Sequence, residues 1–331
     1  MGRRVDRRAF LTGLGAAGLS GCRARDRRDT LVLRVSHSMT AGPTSLHIFA
    51  QKFAELVEAG SGGAIRVRLF ASGTLGQERE IVQQLQEGLV DVMVSGSAIW
   101  GSVAPRLQLL DFPFLWRDWN HVHHIVDGPL GAEVADYLAS SVRMRPLAWG
   151  DSFGFRQLVT RSRAITTPAD FAGLKIRTIQ SAIYVKAIEL MGASPTPMAF
   201  GEVYTSLQTG VIDGYEHDAS TTLQQRFYEV AHVMTRTRHI AGVLGLWAST
   251  ITLAGLPADV RALLERAAQG AARHQREVGP GEESAAAAEL TQNGMTIREF
   301  DNSPFRARAE QLWTTEGRRL GVMPWLEAIR A

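Results

Sequence analysis

Glu202-Val203-Tyr204-Thr205-Ser206-Leu207-Gln208-Thr209-Gly210-Val211-Ile212-Asp213 repeats a pattern met 122 residues earlier, in Glu80-Ile81, Leu85-Gln86-Glu87-Gly88 and Leu89-Val90-Asp91. Glutamate, an apolar residue, Leu-Gln, glycine, two apolar residues and aspartate recur in the same order at the same spacing. Each copy reads as helix, stop and strand. Glycine closes a helix cheaply in the left-handed conformation, and the apolar pair opens a buried strand. Two units sharing one plan are expected from such a repeat.

The flanks of the two copies agree. Leu31-Val32-Leu33-Arg34-Val35 reads as a strand, and Leu46, Phe49, Ala50, Phe53, Leu56 and Val57 recur at helical spacing before Gly60 to Gly63 ends the helix. Ile65-Arg66-Val67-Arg68-Leu69 alternates like a half-exposed strand, and a helix from about Gln77 to Glu87 leads into Val90-Asp91-Val92-Met93-Val94. The second copy has its own strand, Leu174 to Arg177, and a helix from about Ser181 to Met191 closed by Gly192. Val260, Leu263, Leu264, Ala267, Ala268 and Ala271 predict a long helix that braces one or both units.

The expected class is therefore α/β: a two-lobe, periplasmic-binding-protein-like fold with a hinge cleft and long C-terminal helices. We expect lobe I over 31–153 with about 243–282 returning to it, and lobe II over 154–242 with about 283–331 packing on it. A chain of 331 residues, 45% hydrophobic and 21% charged, is long for a single core and agrees with two.

Charge is unevenly placed. Residues 1–28 carry eight arginines against Asp6 and Asp26, a net of +6, so the formal total of +3 leaves residues 29–331 at −3. No phosphate-neutralising surface, and hence no nucleic-acid partner, is expected. Residues 1–21 have a basic start and an apolar stretch from Ala9 too short to span a bilayer, the form of an export signal. Asp6-Arg7-Arg8-Ala9-Phe10-Leu11-Thr12 resembles a twin-arginine export motif, and Leu19-Ser20-Gly21-Cys22 resembles a lipobox. On that reading the one cysteine, Cys22, is lipidated and anchors the chain in the periplasm, and residues 22–30 form a tether. The alternative is a leader cut by ordinary signal peptidase. Gly13-Leu14-Gly15-Ala16-Ala17-Gly18 matches a dinucleotide fingerprint only in spelling, because no strand precedes it.

In open α/β sheets ligands bind beyond the carboxyl ends of the strands, which selects Ser95 to Trp100, Arg177 to Gln180, and Tyr215 to Asp218. Arg177 ends a strand just before a helix start, where a guanidinium fork and backbone N–H groups together suit a carboxylate, although its alternation with Lys175 beside Leu174 and Ile176 also fits a solvated surface arginine. His37, Glu78, Ser95 and Trp100 also fall near strand ends or helix starts, with ordinary packing as the alternative for each. Trp149, Phe153 and Trp247 are candidates for an apolar wall. His121-Val122-His123-His124 invites a metal, yet adjacent histidines on a helix do not share a face as i, i+4 pairs do, so surface histidines and no metal are expected.

Gly154-Phe155-Arg156-Gln157, Gly173-Leu174-Lys175-Ile176-Arg177, the run from Gly192 to Tyr204, and Leu207 to Gly214 together resemble the extracytoplasmic solute receptors of TRAP transporters, the DctP type. The resemblance runs from about Leu31 to the C-terminus. It implies a non-enzymatic, cofactor-free receptor that delivers an organic acid to a membrane permease. It also implies that Arg177 pairs with the ligand carboxylate and that Arg156 matches a second ligand-facing arginine of sialic-acid receptors, a structural ion pair being its alternative. Tyr215-Glu216-His217-Asp218 replaces their Gln-Glu-Asn-Pro, and Gly96 and Ile99 stand where they place an acid and an arginine, which argues against sialic acid. With Glu216, His217, Glu78 and Ser95 as hydroxyl partners, a uronate fits; with Trp100, Trp149 and Phe153 in the cleft, an aromatic or hydroxy acid would. Two rivals remain: a sensory receptor serving a membrane kinase, and an exported cofactor enzyme, for which no H-E-x-x-H, G-x-S-x-G or P-loop motif speaks.

Overall fold

A computed structural model of the chain describes residues 30–331. The leader, the lipobox and Cys22 lie outside the described residues. Two sheets divide the strands. The first has the order β2 (Ile65–Phe70), β1 (Leu31–Ser36), β3 (Val92–Gly96), β10 (Val243–Ser249), β4 (Met144–Asp151). The second has the order β11 (Thr296–Glu299), β9 (Val233–Ile240), β5 (Arg156–Thr160), β8 (Gly214–His217), β6 (Lys175–Thr178), β7 (Ser194–Pro197).

The sequence repeat is a structural one. β2-β1-β3 and β7-β6-β8 are equivalent parallel triplets. Each is threaded by two helices, α1 (Ser45–Gly60) and α2 (Glu78–Gln86) in the first, α5 (Ala182–Met191) and α6 (Val203–Thr209) in the second. Three recurring positions of the pattern have the same task in both copies. Glu80 and Glu202 accept from the backbone N–H three residues before them, Gln77 and Ala199, each at 2.9 Å, half of a capping box. Gly88 and Gly210 take φ of 73° and 75°, the left-handed stop. Asp91 and Asp213 each accept, at 2.8 Å, from the backbone N–H of a residue on the neighbouring strand, Arg34 and Lys175. Cap, stop and pin are what the two copies preserve.

Two short connections carry the chain between the sheets: residues 152–155 from β4 to β5, and Ala241-Gly242 from β9 to β10. The long helix α9 (Ala258–Gln292) runs beside both. At about 1.5 Å per residue its 35 residues reach about 50 Å. Its first half buries Leu264, Ala267, Ala268 and Ala271 in the core of α1 and the first sheet. Its second half buries Ala286 and Leu290 in the core of the second sheet. Pro280 interrupts it near the crossing, removing one i→i−4 hydrogen bond.

The C-terminal segment corrects one expectation. Residues 283–331 do not pack on the second sheet alone. β11 joins that sheet, but Trp313 of α10 (Ser303–Leu320) donates its Nε1–H to Pro113 O at 2.8 Å. Trp325 of α11 (Met323–Arg330) reaches Glu133 Oε2 at 2.9 Å, on α4 (Pro129–Val142). The chain end thus ties back to residues 105–142. It also buries His121 on α3 (Trp119–Val126), whose Nε2 lies 2.8 Å from Ile329 O, so this histidine is not on the surface as expected. His123 pairs with Asp151 at 2.8 Å. Among the described residues no group of three His, Cys, Asp or Glu side chains could hold a metal ion, and no helix is long and apolar enough to cross a membrane.

Candidate functional site

The carboxyl ends of the two triplets face one another. Ser38, Glu78, Gly96 and Ile99 line the resulting cleft from the first side, and Arg156, Arg177, Tyr184, Phe200 and His217 from the second. Ser152, Gly242 and Val243 close it at the crossing strands. Polar contacts join its rims: Gln225 Nε2 donates to Thr40 Oγ1 at 3.1 Å, Ser220 Oγ to Pro43 O at 3.3 Å, and Arg79 to Gln180 O. The enclosed free space is about 40 Å³, against roughly several hundred for a small-molecule site.

Arg177 is placed by β6. Its neighbours alternate, Lys175 outward and Ile176 into the core, and the strand ends where Arg177 and Thr178 turn buried. The guanidinium is 2% exposed and lies over the Phe200 ring at 5.8 Å. Nε and Nη2 donate to Met198 O at 3.3 and 2.9 Å, and Nη1 has no partner among the described residues. Burial, with Arg156 nearby, pulls its pKa down to about 10 despite Glu216 and Glu78. It stays charged at neutral pH, and its charge lacks a carboxylate of its own.

Arg156 is the opposite case. It pairs with Glu216 through Nε, and its Nη2 donates to Glu216 Oε1 at 3.1 Å and to Glu216 O at 2.8 Å. Burial works against its charge, but Glu216 outweighs that and raises its pKa. Arg156 thus lines the cleft and is at the same time half of a buried structural ion pair. Its Nη1 lies 3.4 Å from His217 Nε2. Burial, then Arg156, lowers the pKa of His217, whose Nδ1 lies 2.9 Å from Asp218 Oδ2 and 3.0 Å from Asp218 N.

Two further acids face the arginines. Glu78 accepts from Ser38 Oγ at 3.0 Å, and burial raises its pKa in spite of that bond and of both guanidinium groups. Asp111, from the 3-10 turn Pro105–Asp111, accepts from Ser97 Oγ at 2.9 and 3.0 Å and from Tyr184 OH at 3.4 Å. Burial pushes its pKa up to about 7. A carboxyl whose folded pKa exceeds its unfolded one favours folding below both values, and that advantage is lost as pH rises through the interval. Asp111→Asn is therefore expected to melt at a higher temperature than wild type at pH 8 and to converge with it near pH 4, measured by thermal unfolding across that range. Asp111 and Tyr184 had no signal in the sequence, since neither ends a strand.

Several expected contacts are corrected. Glu216 is fully buried behind Arg156 and is spent on it, so it does not line the cleft. Ser95 Oγ accepts from Trp100 Nε1 at 3.1 Å and Ser95 O from Trp247 Nε1 at 3.0 Å, which turns all three into the core beneath the cleft. Trp149 joins that cluster with its ring 5.2 Å from that of Trp247, so no tryptophan walls the site. His37 is buried against His47 at 3.1 Å, and burial lowers its pKa to about 4. Phe153 points away from the cleft, to the reverse side of the crossing strand, against Gly279. The apolar walls are instead Met39, Leu46, Ile99, Ile179 and Phe200.

Two sheets meeting over a cleft with an unpaired buried cation suit a receptor for a small anionic solute. Known proteins similar to the chain are of that class. The family model for bacterial extracellular solute-binding proteins, family 7 (DctP), matches residues 35–318. The 2,3-diketo-L-gulonate-binding periplasmic protein YiaO of Escherichia coli is 34% identical over 277 residues, 83% of this chain and 81% of that protein. A TRAP periplasmic solute-binding protein of Chromohalobacter salexigens, solved with bound D-glucuronate, superposes with a TM-score of 0.84 at 28% identity, covering 90% of this chain and 97% of its own. Another from Sulfitobacter, solved with β-D-galacturonate, gives 0.84 at 26%, again covering 90% and 97%. The chain belongs to the DctP family of extracellular solute-binding proteins, whose members are the binding proteins of TRAP transporters and not enzymes.

Proposed function

We propose that this chain captures a sugar acid of the hexuronate type and hands it to a TRAP permease. The observation that carries the proposal is the buried Arg177 guanidinium, which faces the cleft without a carboxylate of its own. The ligand carboxylate takes that place. Glu78, Asp111, His217 and Arg156 then offer a mixture of donors and acceptors suited to ring hydroxyls. The ligands bound by the superposable receptors support the same class. Residues 31–153 and 154–242, with the sheet strands returning to each, act as two lobes hinged at 152–155 and 241–242. Closure withdraws the Arg177 pair from water, where a charge-assisted bond counts for more. The leader directs export through the twin-arginine route, and lipidated Cys22 anchors the receptor.

Isothermal titration of the mature chain with D-glucuronate, D-galacturonate and neutral D-glucose tests the ligand class. At least one acid is expected to bind about 100-fold or more tightly than glucose, the scale of a bidentate charge-assisted pair. Equal affinity for acid and neutral sugar would overturn the proposal.

A further inference from the structure

Alternation along residues 152–157 divides the crossing strand between two faces. Ser152 and Arg156 line the cleft, whereas Phe153, Phe155 and Gln157 line a groove on the reverse side. This groove encloses about 670 Å³, within the usual range of small-molecule sites. One wall is the outward row of β9 and β11, and the other is the α9 face bearing Ser284, Ala287 and Ala288. Trp119 closes one end, its ring 5.1 Å from that of Phe155.

β9 is bent to aim two guanidinium groups into this space. Its pairing with β5 slips between Arg156↔Ile240 and Leu158↔Thr235, leaving a bulge over Arg236 to His239. Bulges commonly re-aim side chains beside functional sites. Within it Arg238 has φ 44°, a left-handed conformation that non-glycine residues hold only when the surroundings impose it. Here they do: Leu158 N donates to Thr237 Oγ1 at 3.2 Å, Asn302 Nδ2 to Thr237 O at 3.1 Å, and Arg238 N to Gln157 Oε1 at 2.9 Å. Arg236 Nη1 and Arg238 Nη2 then reach the same carboxylate, Glu299, at 3.1 and 3.3 Å, so two cations share one anion. The other acid on the groove, Glu283, spends both oxygens on the N–H groups of Ala219 and Ser220 at 3.0 Å each, and burial, with Asp218 nearby, pushes its pKa up to about 7.

We propose that this groove is a second binding site, for an amphiphilic monoanion whose aromatic or alkyl body lies against Trp119, Phe155 and the alanine face of α9 and whose carboxylate or sulfonate meets Arg236 and Arg238. The site does not depend on the identity of the cleft ligand.

Fluorescence titration with 8-anilinonaphthalene-1-sulfonate, an aromatic monoanion, tests this in the full folded chain. Wild type is expected to bind one equivalent saturably. The double variant Arg236→Ala/Arg238→Ala should bind the dye roughly tenfold or more weakly, with its uronate affinity unchanged. Ala287→Trp, which fills the groove, should abolish saturable binding. Absence of saturable binding by wild type, undiminished affinity in both variants, or displacement of the dye by stoichiometric D-glucuronate would overturn the proposal.

Discussion

Replacing Arg177 by alanine is expected to weaken D-glucuronate binding by about 10²- to 10³-fold in isothermal titration while leaving the melting temperature of the free protein equal or higher. The affinity loss follows from the geometry. The alternative cation, Arg156, already carries Glu216 on two of its nitrogens, so a carboxylate deprived of Arg177 is desolvated with no full charge to meet it. The stability gain follows from burial, since a guanidinium whose pKa is drawn down to about 10 is held in its charged form at a cost to the fold. A site that costs stability and gains function is a common compromise. Arg177→Lys keeps the charge and loses the fork, so an intermediate affinity is expected. A fall in melting temperature with unchanged affinity would mean that Arg177 is structural.

Glu216→Ala should have the reverse signature. Glu216 has no exposed surface, and its removal strands Arg156, 4% exposed, without a counter-charge. Breaking one side of a buried pair typically costs about 3–5 kcal/mol. For a chain of this size that is a fall of about 10 °C in melting temperature, read by calorimetry. Glu216→Gln retains an acceptor for Arg156 and should lose less. Replacing both partners, Arg156→Met with Glu216→Leu, should recover much of the stability and none of the binding, because an apolar pair removes the stranded charge but also the polar wall of the cleft. An unchanged melting temperature in Glu216→Ala would contradict the positioning role given to this carboxylate.

What the sequence revealed was what the backbone imposes locally. The two-copy pattern could be read because capping, helix stop and strand pinning are local demands, met by Glu80 and Glu202, Gly88 and Gly210, Asp91 and Asp213. Arg177 stands out only when its place at a strand end before a helix start is taken with the family resemblance, since the alternation of β6 alone also fits a solvated surface arginine. The direction of other side chains depended on distant partners. Trp100 and Ser95 turn inward because Trp247, from a strand more than 140 residues away, completes their cluster. Phe153 turns outward because its neighbour Ser152 takes the cleft side and donates to Asp218 at 2.7 Å. Asp111 and Tyr184 reach the site through a 3-10 turn and a helix face, and no periodicity marks such positions.

A crystal structure of the complex with the tightest-binding acid of the titration series tests the central claim most directly. The ligand carboxylate is expected within hydrogen-bond distance of Arg177 Nη1, its hydroxyl groups towards Glu78, Asp111 and His217, and Arg156 still paired with Glu216. A carboxylate bound away from Arg177, or one that displaces Glu216 from Arg156, would contradict it.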